Sequence, residues 1–295
     1  MQSIKGCITA LITPFNNDGL IDIPAFQNLI ERQIRNNVHG LVPCGTTGES
    51  PTLNHQEHQE VIKIAIDAVD NRIPIIAGTG SNSTEEALKM TEYAESVGAD
   101  ASLQVVPYYN KPNQDGLYEH FTKISMNTSL PIILYNIPGR SVVNLEPSTI
   151  KMLVDNNKNI IGIKEASGDM DKVKEIKKVC PDDFIILSGE DQLNLQVLKE
   201  GGSGFISVTS NLLPAECSKL FEAFEEGDIE KSEQINESIF KVNKFLFIDT
   251  NPIPIKYALS SMGLCENNLR LPLTKLNVNK SEILAKEIKK LNISK

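Results

Sequence analysis

The chain has 295 residues, of which 40% are hydrophobic and 23% are charged, so its composition is that of an ordinary globular protein. This length allows one large domain or two medium ones. The formal net charge is −9, from 29 basic and 38 acidic residues, and no basic stripe stands out. Nucleic acid and an anionic membrane are therefore disfavoured as partners.

The cysteines and the N-terminus restrict the cellular setting. The five cysteines are far apart and form no CxxC pair, which predicts neither a zinc knuckle nor a disulfide framework. The first 15 residues lack the long apolar region and the cleavage pattern of a signal peptide. No segment approaches the roughly 20 apolar residues of a membrane span. We therefore expect a reduced, soluble protein in the cytoplasm.

Eight short apolar runs recur along the chain, with segments of helical periodicity between them. None of the runs alternates strictly, which is typical of strands that are buried on both faces. The runs cover residues 7–15, 40–45, 73–80, 101–109, 130–138, 159–167, 183–191 and 204–210.

The intervening segments show helix signals in chain order. Apolar stripes at helical spacing run through residues 26–34 and 61–69. Ser83 and Glu86 have the spacing of a capping box, and Pro147 suits the first turn of a later helix. Strands that alternate with helices predict an α/β fold, a (β/α)₈ TIM barrel. A doubly wound open sheet is the alternative, although it seldom needs eight evenly placed strands.

More than eighty residues follow the eighth run without another convincing strand. Residues 220–245 carry apolar side chains at helical spacing. We therefore predict a barrel over residues 1–225 and a C-terminal helical region over residues 226–295 that packs on it.

The residues that follow each run are polar or rich in glycine. They include GTTGES at 45–50, PYYN at 107–110, YNIPGR at 135–140, Lys164 and SGED at 188–191. Because barrel active sites form at the carboxyl ends of the strands, these segments predict one functional rim.

Lys164 ends an apolar run in which a charged side chain is unexpected. Desolvation disfavours a charged ammonium, and a neutral amine can attack a carbonyl to form a Schiff base. Tyr135 ends the neighbouring run and could transfer protons there. The alternatives are a lysine that reaches solvent or pairs with Glu165 or Glu190, and a tyrosine whose ring only packs in the barrel.

Other rim motifs are weaker on their own. The GTTGE turn offers backbone N–H groups to a carboxylate, and Arg140 could bind a second one, but a Gly-rich turn and a solvated arginine explain them equally well. The GGSG sequence at 201–204 resembles a phosphate loop, yet it precedes the eighth run, so we interpret it as a helix C-cap. His55 and His58 could bind a metal, but they match no HExxH motif and lack an evident third ligand, which disfavours metal-dependent chemistry.

Five motifs together resemble the dihydrodipicolinate synthase family of class I, pyruvate-dependent aldolases. In order along essentially the whole chain they are GTTGES (45–50), PYYN (107–110), YNIPGR (135–140), GIKEASG (162–168) and NPIPIK (251–256). The resemblance implies condensation of pyruvate with L-aspartate 4-semialdehyde in lysine and diaminopimelate biosynthesis. It implies neither a cofactor nor a metal.

The resemblance also implies catalytic roles. Lys164 would form the Schiff base with pyruvate, and Tyr135 would act as proton donor and acceptor. Thr46 would complete a proton relay with Tyr109, which a neighbouring subunit would contribute. That exchange requires at least a dimer, and the family implies a homotetramer built as a dimer of dimers.

Further residues would bind substrates. Thr47 would hold the pyruvate carboxylate, and Arg140 would recognise the carboxylate of the semialdehyde. Gly189 and the backbone carbonyl of Ile206 would line the site.

A second site for L-lysine as feedback inhibitor is also implied. Its residues would be Ser50, His55, His58, Asn82, Glu86 and Tyr108. Glu86 suits the ammonium of an amino acid and Tyr108 suits its carboxylate. Without the resemblance, the two histidines are typical of a solvated helix start.

Two rival functions stay open at this point. N-acetylneuraminate lyases and 2-keto-3-deoxy sugar-acid aldolases share the lysine and the tyrosine, but Arg140 and the Thr46–Thr47 pair favour a short, carboxylated aldehyde. A catalytically silent barrel that senses an amino acid or keto acid is the other rival, and the intact Lys164, Tyr135 and Thr46 argue against it.

Overall fold

Eight parallel strands form the centre of the fold in a computed structural model, which describes residues 3–291. Neighbours pair in the order β2-β1-β8-β7-β6-β5-β4-β3, and a parallel bridge between Leu41 and Ile75 brings the two edges together. The ring is therefore nearly closed, which confirms the predicted barrel. The strands are β1 (Gly6–Ala10), β2 (Gly40–Val42), β3 (Ile76–Gly78), β4 (Ala101–Val105), β5 (Ile132–Asn136), β6 (Ile160–Glu165), β7 (Ile185–Ser188) and β8 (Gly204–Ser207).

Helices alternate with these strands and continue after the last one. The barrel helices are α1 (Ile23–Arg35), α2 (His55–Val69), α3 (Thr84–Ser96), α4 (Gln114–Ser125), α5 (Pro138–Ser141), α6 (Pro147–Asn156), α7 (Met170–Val179), α8 (Asn194–Lys199) and α9 (Pro214–Glu225). The predicted C-terminal helices are present as α10 (Ile229–Phe245), α11 (Ile253–Ser261) and α12 (Val278–Lys290).

The strands are shorter than the apolar runs that predicted them. The first run extends to Phe15, but β1 ends at Ala10, and Leu11, Ile12 and Phe15 are buried in the cluster that contains the C-terminal helices. Ile12 and Phe15 are apolar because helices cover them, whereas Leu11 still donates its N–H to the Val42 carbonyl of the neighbouring strand at 3.0 Å. Hydrophobicity alone could not separate the two causes.

Helix ends agree with the sequence signals except at α3. Ser83 caps α3 through its hydroxyl, which accepts the Glu86 N–H, but the Glu86 carboxylate binds the Ser81 hydroxyl instead of returning to Ser83. The predicted capping box there is therefore wrong. A complete box forms at α2, where Asn54 and Glu57 bond each other's backbone N–H groups at 2.9 Å.

The GGSG segment follows the end of α8 and precedes β8, so it is not part of the rim at the carboxyl ends of the strands. Gly201 has a φ of +86°, and the N–H groups of Gly201 and Gly202 bond the carbonyls of Leu198 and Val197 at 2.9 and 2.8 Å. These two hydrogen bonds together form a Schellman motif, which confirms the predicted helix C-cap.

The C-terminal helices share a core with the barrel helices. One buried cluster contains Leu220 of α9, Ile239 of α10, Leu259 of α11 and Leu284 of α12. Complete burial of such a side chain stabilises the fold by about 2 kcal/mol. The boundary at residue 225 stays a prediction. Within residues 3–291, no helix is long and apolar enough to cross a membrane.

Candidate active site

Lys164 lies at the carboxyl end of β6, directly beside Tyr135 of β5 in the strand register. The side chain is only 7% exposed, and its Nζ atom is 4.3 Å from the centroid of the Tyr135 ring. Tyr135 itself is 5% exposed and belongs to the apolar cluster inside the barrel. The two side chains therefore share the mouth of the barrel, largely removed from water.

Glu165, the next residue, points to the opposite side of the strand. Its carboxylate accepts hydrogen bonds from the Asn136 side chain at 2.9 Å and from the Ser167 backbone N–H at 2.6 Å. Successive side chains of a strand alternate between its two faces, so Glu165 does not pair with Lys164. One of the alternatives for Lys164 is thereby removed.

Glu190, in contrast to Glu165, lines the same cavity as Lys164. Burial raises the pKa of Glu190, and the nearby Asp191 raises it further, whereas Lys164 and Arg140 act in the opposite direction. A buried carboxyl with a raised pKa is a weaker counter-ion for an amine than a solvated carboxylate.

Gly189 of the β7 end leaves the space through which the Lys164 side chain passes. A Cβ atom at position 189 would lie 2.9 Å from Cε of Lys164 and 2.6 Å from Cβ of Ala166. Carbon atoms do not approach so closely, so a larger residue would displace the lysine. The sequence predicts that Gly189 lines the site, and the structure places it against the Lys164 side chain.

A cavity of about 290 Å³ surrounds the lysine. The predicted residues that line it are Thr46, Thr47, Tyr135, Arg140, Lys164 and Gly189. Thr46 and Thr47 come from the turn after β2, and Arg140 comes from α5, which follows β5. Parallel strands bring these distant segments to one rim, as the sequence predicted.

Asn251 joins this cavity from the C-terminal region. Its Nδ2 atom donates to Oγ1 of Thr47 at 2.9 Å, and its backbone carbonyl accepts from Nη2 of Arg140 at 3.1 Å. Phe247 also lines the cavity. Asn251 is the first residue of the NPIPIK motif, but no local pattern in the sequence indicates a role for it, because its partner is 204 residues away.

Two of the predicted residues do not line the cavity within this single chain. Tyr109 is 89% exposed and has a φ of +72°. Ile206 is buried in the barrel interior, in the same apolar cluster as Tyr135.

A second cavity of about 630 Å³ adjoins the first and shares Thr46, Tyr135 and Arg140 with it. Of the residues predicted for lysine binding, it is lined by Ser50, His55, His58, Glu86 and Tyr108. Asn82 lies next to it, since its Nδ2 atom donates to the Tyr108 carbonyl at 3.2 Å.

Glu86 is the acidic group of this second cavity. Its carboxylate accepts from the Ser81 hydroxyl and lies 3.4 Å from Nε2 of His55. Nε2 of His58 is 2.7 Å from the Gly78 carbonyl, so that nitrogen must carry the hydrogen, and burial lowers the pKa of His58. Burial and the charge of Glu86 raise the pKa of Tyr108, which keeps its phenol protonated. The cavity thus offers the carboxylate of Glu86 and the phenol of Tyr108, with the Arg140 guanidinium on the side that it shares with the first cavity.

An amine held almost out of solvent against a phenol, at the end of a barrel strand, is the arrangement of a class I aldolase-type lyase, which acts through a Schiff base. Matches to known proteins agree with this class. The chain belongs to the dihydrodipicolinate synthetase family, whose model matches residues 3–291.

Individual relatives match along their whole length. The chain is 48% identical over 291 residues to a 4-hydroxy-tetrahydrodipicolinate synthase of Thermodesulfovibrio yellowstonii, covering 99% of each protein. It superposes on the solved synthase of Methylacidiphilum fumariolicum with a TM-score of 0.95 at 46% identity, covering 98% of this chain and 97% of that one.

Two further solved relatives hold small molecules. The Acinetobacter baumannii dihydrodipicolinate synthase, complexed with pyruvate, is 41% identical with a TM-score of 0.95, and the match covers 97% of this chain and 98% of that one. The Cyanidioschyzon merolae enzyme, with lysine bound, is 37% identical with a TM-score of 0.94, and the match covers 97% of each chain.

Proposed function

We propose that this chain is a 4-hydroxy-tetrahydrodipicolinate synthase of lysine and diaminopimelate biosynthesis. It would condense pyruvate with L-aspartate 4-semialdehyde through a Schiff base on Lys164. The observation that carries the proposal is the contact of the buried Lys164 amine with Tyr135, in a cavity that also contains Thr46, Thr47 and Arg140.

The first proposed step joins pyruvate to the enzyme. The neutral Lys164 amine attacks the keto carbon, a C–N bond forms, and the former carbonyl oxygen leaves as water to give the C=N bond. The Tyr135 phenol lines the same cavity as Lys164. It can supply and take back the protons that this exchange requires. Thr46 would connect that phenol to Tyr109 of the neighbouring subunit.

Thr47 is suited to hold the pyruvate carboxylate. The Asn251 amide donates to Oγ1 of Thr47 and so occupies one of its acceptor positions. The hydroxyl hydrogen is left to donate to a different acceptor, and a carboxylate in the cavity would be one.

The second proposed step forms the carbon–carbon bond. The iminium makes the former pyruvate methyl group acidic, and loss of a proton gives an enamine that attacks the aldehyde carbon of the semialdehyde. Arg140 would bind the semialdehyde carboxylate through charge-assisted hydrogen bonds. The amino group of the adduct then attacks the C=N carbon, which closes the ring and releases Lys164. These steps involve neither a cofactor nor a metal.

A coupled assay with different aldehydes tests this function. We expect turnover with pyruvate and L-aspartate 4-semialdehyde, and none in Lys164→Ala. Turnover with a polyol aldehyde but not with the semialdehyde would assign the chain to the sugar-acid aldolases instead.

We also propose a homotetramer, built as a dimer of dimers, in which Tyr109 serves the neighbouring active site. The 89% exposure of this side chain supports the proposal, because a large aromatic residue is thereby available to a second subunit. Mixing Tyr109→Phe with Lys164→Ala subunits tests it. A mixed dimer would contain one site with both residues intact, so activity should recover on mixing.

Residence in the cytoplasm stays a prediction.

L-lysine inhibition is the third part of the proposal. The 630 Å³ cavity supports it, since Glu86 can receive an ammonium while Tyr108 donates to a carboxylate. The lysine-bound relative supports the same ligand class. Initial rates that do not change at saturating L-lysine would remove this part and leave the synthase proposal intact.

A further inference from the structure

Glu49 and Lys256 form an ion pair in which both side chains are completely shielded from solvent. Glu49 belongs to the turn after β2, two residues beyond Thr47, and Lys256 belongs to α11 of the C-terminal region. The pair therefore joins the active-site turn to a segment about 200 residues away in the chain. Neither partner contributes to the chemistry described above.

Both charged groups of the ion pair also contact other residues. Nζ of Lys256 donates to the Asn268 carbonyl at 2.9 Å and lies 4.1 Å from the centre of the Phe15 ring. Oε2 of Glu49 accepts from the Arg270 backbone N–H at 3.1 Å. Burial lowers the pKa of Lys256, and the charge of Glu49 opposes that effect. Burial of both charges has a desolvation cost that offsets their attraction, so the pair is weak evidence for added stability. Its position in the fold is therefore the more informative property.

The backbone of Glu49 is also unusual. Its φ of +54° and ψ of +36° lie in the left-handed region, which a non-glycine residue adopts at an energetic cost. The side chain of this residue is the one that binds Lys256 and the Arg270 N–H. The same turn carries Thr46 and Thr47, so its path determines where both hydroxyls lie.

A second contact between the same two segments lies in the cavity. Asn251 precedes Lys256 by five residues, and it bonds Thr47 just as Lys256 bonds Glu49. The Thr47–Asn251 hydrogen bond and the Glu49–Lys256 ion pair therefore connect the turn after β2 to the same C-terminal segment at two points.

We infer that Glu49 and Lys256 are positioning residues that hold Thr47 against Asn251 and thereby set the affinity of the site for the keto-acid carboxylate. This inference rests on the proposed function, since it assigns that carboxylate to Thr47. A purely structural pair would affect folding and leave pyruvate affinity unchanged in the molecules that fold.

The test separates pyruvate affinity from stability. The pyruvate concentration that gives half-maximal borohydride trapping on Lys164 is measured beside the thermal midpoint for wild type, Lys256→Met and the double variant Glu49→Gln/Lys256→Met. The single variant leaves Glu49 as an uncompensated buried charge, so its thermal midpoint should fall. The double variant removes both charges and should recover stability. In both variants we expect the half-maximal concentration to rise about tenfold, the effect of weakening one hydrogen bond to a charged group.

Lys199→Met is the matched control. It removes an exposed ion pair with Glu233 that also links a barrel helix to the C-terminal region. Its half-maximal pyruvate concentration should equal that of wild type, because an exposed pair contributes little.

The outcomes are distinguishable. If wild type is not trapped by pyruvate, the proposed function fails and this inference falls with it. If wild type is trapped and the folded double variant has the same half-maximal concentration, the positioning role is overturned and the synthase proposal stands. If the double variant does not fold, Glu49→Asp replaces it, since it keeps the charge but shortens the reach. A raised half-maximal concentration in Glu49→Asp supports the inference, and an unchanged one overturns it.

Discussion

Lys164 and Tyr135 are opposite each other in the register of β6 and β5, and the lysine Nζ lies 4.3 Å from the tyrosine ring centroid. The contact is set by backbone pairing between two barrel strands rather than by a loop. A shift of one residue in either strand would turn that side chain to the outer face. The relative position of Lys164 and Tyr135 is therefore fixed by hydrogen bonding between two neighbouring strands.

Gly189→Ala should slow Schiff-base formation and also lower the thermal midpoint. The added methyl would lie 2.9 Å from Cε of Lys164 and 2.6 Å from Cβ of Ala166, so the flexible lysine side chain must move away from Tyr135 and the backbone must shift as well. Misplacement of a reacting group by about 1 Å can lower the rate about a hundredfold. Pre-steady-state trapping with pyruvate measures this rate at a temperature well below the thermal midpoint of the variant, so that only folded protein is compared. A wild-type trapping rate would show that the lysine does not depend on this space.

Arg140→Ala should weaken use of the semialdehyde more than it weakens pyruvate binding. Loss of charge-assisted hydrogen bonds to the aldehyde carboxylate should lower kcat/KM for the semialdehyde roughly 10- to 100-fold. Steady-state kinetics with each substrate varied in turn provide the measurement. Arg72→Ala, which removes an exposed ion pair with Glu31, is the control. Loss of pyruvate trapping with an unchanged KM for the semialdehyde would contradict the assigned role.

Glu86→Gln should weaken inhibition by L-lysine about tenfold or more while the uninhibited rate changes little, because the amide cannot pair with an ammonium. The adjacent Glu85 provides a matched control. It lies on the same helix, is 72% exposed and pairs only with Lys89 in the ion pairs of the described chain. Glu85→Gln should therefore be inhibited like wild type. Equal inhibition of both variants would place the lysine site elsewhere.

His120 should make the protein less stable in mild acid. Burial lowers its pKa to about 4, whereas an unfolded histidine titrates near 6.5. The unfolded state therefore binds a proton first as the pH falls below about 6.5, and stability is lost progressively until about pH 4. Between pH 7 and 4.5, His120→Gln should remove about 2.5 kcal/mol of that pH-dependent loss. Denaturant unfolding between pH 7 and 4.5, with each protein compared with itself at pH 7, measures it. Parallel pH profiles would contradict this assignment.

Much of the fold and part of the site follow from local sequence patterns. The strands were recognisable because apolar runs recur between helical stripes, and Lys164 was conspicuous because a charged residue ended such a run. The local pattern gave a wrong prediction at Ser83–Glu86, where the Glu86 carboxylate accepts a hydrogen bond from the Ser81 hydroxyl instead of from the Ser83 backbone N–H. The spacing of a motif does not determine which of several nearby donors its side chain will choose.

The contributions of the C-terminal region required the structure. Asn251 contacts Thr47, and Lys256 contacts Glu49, through packing of segments about 200 residues apart. A lysine in an apolar helix is normally predicted to reach solvent, so nothing in the NPIPIK sequence by itself indicates a buried partner. Long-range packing of this kind has no periodic signature.

Trapping of the pyruvate adduct shows directly whether Lys164 forms a Schiff base. The protein is treated with pyruvate and borohydride, digested, and its peptides are weighed by mass spectrometry. We expect a reduced pyruvate adduct on the peptide that contains Lys164, and none in Lys164→Ala or when pyruvate is omitted. An unmodified Lys164 peptide, or an adduct confined to other lysines, would contradict it.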